Sequence, residues 1–398
     1  MAFQRLQAIT HDLACHYAEL RAVKNRRALE RCALWQRIRA EVERVTSAVE
    51  QGDAEPAPQP AAPRAIHVRA AAWNVQRGTR YGAILSALRD DPVLREADLL
   101  LLSEIDCGLG RSGNRNVARE LAEALGRSYA FAPSYLTLQD DWGENRAGAA
   151  NTTALAGTAI LSRLPIRRAE NVDMPALRDK FSSSERRLGN KRALLVEVDA
   201  PTGPLLVGAC HLDSNASPRQ RARQLRALLD RMPAGAAAGV VPAIVGGDFN
   251  SSTHDLSSPA ASLRDFVYKL FTRGVRRSVD GYMSPAAFGE RPVFDLLAAR
   301  GFTVDAFNDT ARPTYRYDFN DPYALQKVRR AGGPPLAALI RWMSRRWNHC
   351  IPARLDWFAG RGARAISATV VEPRDSDGRP VSDHAAVVCD LQPVIAGA

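Results

Sequence analysis

Between Phe3 and Val49 apolar side chains recur three or four positions apart: Leu6, Ile9, Leu13, Tyr17 and Leu20, then Cys32, Trp35, Ile38, Val42, Val45 and Val49, with charges between them. That spacing lines one face of a helix and predicts a helical N-terminal extension, continuous or folded as a hairpin, over 1–51. Its apolar face is expected to pack on the rest of the chain or on a second copy, in preference to reading nucleic acid. The segment GDAEPAPQPAAPR at 52–64 breaks the pattern, because repeated Pro blocks helix and favours an extended spacer. A linker is therefore placed at 52–65 and a domain boundary with it. From Ile66 onward the apolar runs shorten to strand length and are separated by Gly, Pro, Asn and Ser clusters. They are IHVRAAAW, ADLLLLS, GTAILS, ALLVEV, PLLVGAC, VPAIVGG, RLDWFAG, ISATVVE and HAAVVCDL, with helical stretches at NVARELAEALG and PRQRARQLRALLDRM. Many short strands with a few helices predict an α/β sandwich, sheets packed together and helices covering them.

Composition adjusts this picture in three ways. The chain has 398 residues and 46% hydrophobic content, enough for a sizeable core. Its net charge of +11 favours polyanionic partners, but only five of the 54 basic residues are Lys and Ala is abundant, a pattern of codon bias. The positions of the Arg residues therefore carry more information than their total. Six cysteines stand singly, without the spacing of a disulfide scaffold or a zinc site, and read as reduced thiols. The first twenty residues hold no uninterrupted apolar stretch, so neither a secretory segment nor a membrane span is expected there, and a cytoplasmic location is.

The chemistry is carried by what ends the strands. Asn74 follows AAAW, Glu104 follows DLLLLS, His211 follows LLVGAC, and Asp248 with Asn250 follows VPAIVGG. Buried strands hold their terminal side chains rigidly, so several ending on one edge can converge polar groups to catalytic tolerance. Carboxylates such as Glu104, Asp248, Asp356 and Asp383 would repel one another in one cleft unless a divalent cation offset them. An all-oxygen donor set suits Mg²⁺, with Mn²⁺ as the other choice, and is poor for Zn²⁺.

The words WN at 73–74, LLSE at 101–104, CHLD at 210–213, GDFN at 247–250, RLDW at 354–357 and SDH at 382–384 are each weak alone. Their ordered set resembles the endonuclease/exonuclease/phosphatase superfamily over roughly 66–392, as do GTAILSRLP at 157–165 and PTY at 313–315. The resemblance implies a four-layer α/β sandwich, two packed mixed β-sheets flanked by helices, with a catalytic domain at 66–394. It implies a Mg²⁺-dependent phosphoester hydrolase in which Glu104 is the principal metal ligand, supported by Asn74 and Asp383. Asp248 would orient or deprotonate the attacking water, Asn250 and His211 would bond phosphate oxygens, and His384, paired with Asp356, would contact the scissile phosphate or transfer a proton. The charge demand of phosphodiester hydrolysis agrees with those roles, since attack on an anion needs both neutralisation and a base.

GLGRSG at 108–113 satisfies G-x-G-x-x-G between a strand and a helix, yet Glu104 and Asp106 would set like charge beside a pyrophosphate. Arg111 and Arg115 are instead expected to line the cleft and grip phosphate. His11 and His16, five apart, share no helix face and read as surface residues. Substrate choice is expected in two segments. The insert at about 317–352 carries Leu336, Ile340, Met343, Trp347 and Ile351 at helical spacing with Arg341, Arg345 and Arg346 off the stripe, a basic amphipathic helix suited to a membrane surface at 336–351, to a nucleic-acid backbone, or to packing on the sandwich. The polar loop from Asn171 to Arg192 gathers Arg178, Lys180, Arg186, Arg187, Lys191 and Arg192 as a lid over an anionic substrate. SEID in place of a Q-E-x-K word, and PARLDW in place of P-A-W-C-D-R, point away from apurinic-site repair and from inositide phosphatases. Nucleic acid is thus favoured as substrate over a lipid headgroup bound in a sphingomyelinase-like way, and a scaffold that has lost the chemistry is the non-enzymatic reading.

Overall fold

In chain order the strands are β1 (Arg5–Gln7), β2 (Glu50–Asp53), β3 (Val68–Arg77), β4 (Leu99–Cys107), β5 (Ser128–Thr137), β6 (Leu155–Ser162), β7 (Ile166–Asp173), β8 (Arg187–Gly189), β9 (Arg192–Ala200), β10 (Gly203–His211), β11 (Ala243–Asp248), β12 (Tyr315–Asp318), β13 (Cys350–Ala353), β14 (Asp356–Arg361), β15 (Ala363–Val371) and β16 (Ala386–Pro393). The structure, a computed structural model, describes residues 3–54, 67–139, 149–183, 185–233 and 241–394. Among them the larger sheet runs β1-β2-β5-β6-β4-β3-β16-β15 with β8 added to β5, and the smaller runs β14-β11-β10-β9-β7. The pairs β3–β4 and β10–β11 are parallel and their neighbours antiparallel, so both sheets are mixed.

The two-residue period of a strand builds the layers. Ala70, Ala72, Leu99 and Leu101 face Leu194, Val196, Val207 and Ile244 across the space between the sheets. Their alternates Ala71, Trp73, Leu100 and Leu102 face outward, onto Leu34, Ile38, Val42, Ile84 and Leu121 of helices Ala33–Ser47, Tyr81–Asp90 and Val117–Leu125. On the far side Leu195, Leu206, Val245 and Trp357 pack against Leu225, Leu228, Val293 and Leu296 of helices Pro218–Leu229 and Arg291–Ala299. Helices, sheet, sheet and helices give the expected four layers.

The N-terminal segment departs from the helical expectation. It forms β1, short helices Tyr17–Ala22 and Arg26–Glu30, helix Ala33–Ser47 and then β2, which pairs antiparallel with β5. Asn25 interrupts the helical run by capping Arg26–Glu30, its side chain accepting from the Ala28 amide. The Glu50 carboxylate, 1% exposed, locks β2 in place: it accepts from Tyr129 Oη (2.7 Å), Arg119 Nη2 (2.9 Å), Asn116 Nδ2 (2.6 Å) and the Ile9 amide (3.0 Å). Residues 3–53 thus extend the larger sheet. Gly52 and Asp53, at the start of the expected linker, are strand residues, while 55–66 lie outside the described residues.

The insert also differs. Its helix, Pro322–Ser344, gives way to a turn at Arg345–Trp347, and Ile351 stands in β13 opposite Tyr317 instead of on the helical stripe. Leu336, Ile340 and Met343 are half-buried against the protein, while Leu339 and Trp342 are exposed.

Candidate active site

Three strands of the smaller sheet end side by side at one edge. His211 on β10 is in register with Asp248 on β11, and Asp248 with Asp356 on β14. The glycines before Asp248 permit this close approach: Gly247 has φ +132°, and a Cβ there would lie 2.1 Å from the Cys210 carbonyl oxygen. From the larger sheet come Asn74 on β3 and Glu104 on β4. Both strands change register here, between Asn74 and Arg77 and between Ser103 and Ile105, and Glu104 itself adopts φ +54°. A bulge of this kind re-aims a side chain, and a non-glycine residue in the left-handed region costs of order 1–3 kcal/mol, a pattern found at functional sites. Asn250, at φ +48°, follows the same rule.

Hydrogen bonds join the two sheets. Asn74 Nδ2 donates to Asp248 Oδ2 (3.2 Å), whose other oxygen accepts from the Asn250 amide (2.8 Å). His211 Nε2 lies 3.5 Å from Asp248 and 4.0 Å from Glu104. His384, at the start of the segment leading to β16, places Nδ1 2.8 Å from Asp356 Oδ2 and Nε2 3.8 Å from Asp248 Oδ2. Its backbone is pinned as well: Trp73 Nε1 donates to the His384 carbonyl (2.9 Å), Ser382 Oγ donates to the Asn74 carbonyl (2.6 Å), and the Tyr315 ring rests 4.8 Å from the imidazole. Thr314 Oγ1 accepts from the amides of Leu355 and Asp356, fixing the other half of the pair.

Charge in the cluster is distributed unevenly. Burial opposes protonation of His384, but Asp356 and Asp248 override it and hold its proton affinity well above the usual imidazole range. Burial, assisted by the Lys191 ammonium, instead drives His211 down to about 4, so at neutral pH it is uncharged. Burial raises Asp248, with Asp356 adding repulsion. At Glu104 burial acts upward and is outweighed by His211, Arg77, His384 and Lys191, which bring the group down to about 2. Because His211 is neutral, Arg77, His384 and Lys191 are the charges that matter there.

Glu104 could hold a cation. Its side chain is 31% exposed, and its oxygens approach Arg77 and His211 only to 3.9 and 4.0 Å, beyond hydrogen-bond reach. Asn74, through Oδ1, and Asp248 add oxygen donors, so the set fits a hard divalent ion. Asp383 is exposed at the rim beside His384, within reach of Ser382 Oγ (3.4 Å). A second grouping, Asp248, Asp356 and His384, has ligand atoms within 4.8 Å of one another, but there His384 Nδ1 already serves Asp356.

The remaining expected residues divide. Asn250 lies in the cluster, although its Nδ2 donates to the Leu212 carbonyl (2.9 Å). Arg111 and Arg187 line a cavity adjoining Glu104 and His211, each held by carboxylates, Arg111 by Asp106 and Glu185 and Arg187 by Glu185. Arg115 lies elsewhere, paired with Glu120 and stacked 4.6 Å over Tyr81. Arg186 points to the N-terminal segment, donating to the Val23 carbonyl. The expected lid is thus largely tied down: Arg178 donates to the Leu256 carbonyl, Lys180 pairs with Asp213 (2.7 Å), and Arg192 with Asp173 (3.5 Å). Arg77, Tyr135 and Tyr315 are site residues that strand-end reading does not single out. Arg77 follows Asn74 by three positions, and Tyr315 closes the PTY word, so both lay within reach of the motifs.

Residues 71–384 match the Endonuclease/Exonuclease/phosphatase family. Among solved structures the chain is similar to an endonuclease/exonuclease/phosphatase from Beutenbergia cavernae DSM 12333 (18% identity, 83% of this chain and 73% of that one, TM-score 0.48). It is also similar to the human Nocturnin catalytic domain with bound sulfate anion (16%, 82% and 93%, 0.43) and to D. rerio TDP2 complexed with single strand DNA product (17%, 82% and 98%, 0.44). No curated protein matches the chain.

Proposed function

The chain belongs to the endonuclease/exonuclease/phosphatase family, whose members are hydrolytic phosphoesterases, and on that premise we propose that it is a Mg²⁺-dependent nuclease or phosphodiesterase. The observation that carries the reading is the convergence of His211, Asp248 and Asp356 from one sheet with Asn74 and Glu104 from the other, closed by the 2.8 Å contact of His384 with Asp356. Glu104, with Asn74 and Asp383 in support, would hold the divalent ion, which when bound supplies charge neutralisation at the phosphate. Asp248 orients the attacking water and draws off its proton. It is fixed for this by Asn74 and by the Asn250 amide, and burial raises its affinity for that proton. Protonated His384 faces the phosphate through Nε2 while Asp356 fixes its tautomer and stabilises its charge. Neutral His211 donates a hydrogen bond to a non-bridging oxygen without adding a charge.

Hydrolysis of a panel of nucleic acid, nucleotide and headgroup phosphoesters, with and without EDTA, tests the proposal. Turnover that EDTA removes and Mg²⁺ restores is expected; absence of metal-dependent turnover across the panel contradicts it and revives the scaffold reading.

A second reading, action on a lipid headgroup at a membrane surface, has its own observation. The segment Pro259–Asp280, broken at Gly274, exposes Leu263 (65%), Val267 (41%) and Phe271 (83%) at four-residue spacing before the break, with Arg264 on the same stretch and Arg276 and Arg277 beyond it. Trp342 is exposed on the insert helix, and no described helix is long and apolar enough to cross a membrane. Flotation with anionic vesicles that is lost when Leu263, Val267 and Phe271 become Ser favours this reading; steeply salt-dependent binding to DNA or RNA without flotation favours the nuclease.

A further inference from the structure

The cavity adjoining Glu104 and His211 contains two polar groups that the mechanism does not use. Lys191 is 8% exposed, and among the described residues no hydrogen bond or ion pair reaches its ammonium. Tyr135 is 4% exposed, and its hydroxyl is buried without a partner. Both line the cavity, as do Arg77, Arg111 and Arg187. Leaving the buried Tyr135 hydroxyl unsatisfied is costly, so this hydroxyl, with the Lys191 ammonium on the same cavity, marks a place where a ligand supplies the acceptors. The neighbouring arginines do not fill that need, being cations themselves. Glu104, which also lines the cavity, is reserved for the cation in the proposed mechanism, and the other nearby carboxylates are committed: Asp106 to Arg111, Glu185 to Arg111 and Arg187, and Asp213 to Lys180. Lys191 therefore faces a cavity rich in donors and short of acceptors. A dianionic or monoanionic phosphate provides acceptor oxygens for an ammonium, a phenol and an Arg fork together.

Glu104 and His211 belong both to this cavity and to the catalytic cluster, so an anion held here is a near neighbour of the group being hydrolysed. We propose that the cavity is a second phosphate subsite, with Lys191 and Tyr135 as its anchors, and that the substrate carries a phosphate next to the scissile one. This rests on the phosphoester-hydrolase reading. It narrows the substrate to a molecule with two neighbouring phosphates, which a polynucleotide and a phosphorylated inositol headgroup both supply.

The test measures binding, not turnover. In the Asp248→Asn protein at fixed Mg²⁺ and ionic strength, calorimetry compares the thymidine dinucleotide TpT with its 5′-phosphorylated form, and inositol 4-phosphate with inositol 4,5-bisphosphate, whose two phosphates are on adjacent ring carbons. The second phosphate is expected to tighten binding at least tenfold in one of the two pairs, and that pair identifies the source. Lys191→Met, and separately Tyr135→Phe, which retains the ring and removes only the hydroxyl, are expected to erase most of the gain. The proposal is overturned if neither pair shows a gain, or if the gain survives both substitutions in folded protein. A protein that shows the gain yet hydrolyses nothing in the panel would contradict the hydrolase reading and leave the subsite standing.

Discussion

Glu50 offers a direct test of whether the N-terminal fifty residues are integral to the fold. Glu50→Ala removes the acceptor for Tyr129 Oη, Asn116 Nδ2, two Arg119 nitrogens and the Ile9 amide. It leaves a guanidinium without its carboxylate in a site where Glu50 is 1% exposed. Removing one partner of a buried pair costs about 3–5 kcal/mol, and because the Arg119 side chain is 27% exposed and can turn to water, the lower end, about 3 kcal/mol, applies. Glu50→Gln keeps the shape. With its amide oxygen serving Tyr129 and Arg119, its NH₂ must face the Ile9 N–H, a donor against a donor, for a loss of about 1–3 kcal/mol. In urea unfolding, with an m-value above about 3 kcal/mol/M for a chain this long, the alanine variant should lose roughly 1 M in midpoint and the glutamine variant less. Hydrogen exchange should quicken first at Ile9 and in Glu50–Asp53 and then along β5. If Glu50→Ala unfolds at the wild-type midpoint, or if proteolysis removes the segment while the midpoint of the remainder is unchanged, the segment is a separate appendage and the reasoning is wrong.

Two further outcomes follow from the site. Asp356→Asn removes the charge that holds the His384 proton and leaves a near-isosteric group, so turnover should fall by about 10²–10⁴ with little change in KM or in near-ultraviolet circular dichroism; a fall confined to KM would place Asp356 in binding. Gly247→Ala sets a Cβ 2.1 Å from a backbone oxygen at a φ that L residues rarely adopt, a cost of about 3 kcal/mol or more. Reduced soluble yield and a lowered melting temperature are expected, and wild-type melting would show that the β10–β11 edge is looser than described.

The sandwich was legible because its inner strands are apolar on both faces, and DLLLLS or VPAIVGG can hardly be anything but buried strand. Other strands were hidden by their positions. β5 carries Pro133 in its middle, which argues against a strand until the register shift between Pro133 and Tyr135 shows it at a bulge. β7 is an edge strand in which only Ile166 and Val172 are buried, and IRRAENVD reads as polar loop. The N-terminal helical spacing was real from Leu34 to Val45, but a three-residue strand and a four-residue strand carry too little pattern to be seen beside it.

At the site, the residues that end strands could be named from sequence because position and type coincide. Residues whose role depends on what lies opposite could not. Lys191 was grouped with five other cations in one polar stretch, and only the partners of the others, among them Leu256, Asp213 and Val23, separate it from them. The same reasoning explains Arg115 and Arg186, whose charge pointed to phosphate and whose geometry points to Glu120 and to a backbone carbonyl.

The central claim, that this cluster hydrolyses phosphoesters with Asp248 and His384 at its centre, is met most directly by comparing wild-type protein with Asp248→Asn and His384→Ala. Steady-state hydrolysis of the best substrate in the panel would be measured in Mg²⁺, with melting curves to confirm folding. Both variants should melt near wild type and lose turnover to background. Normal turnover by either folded variant would contradict the account.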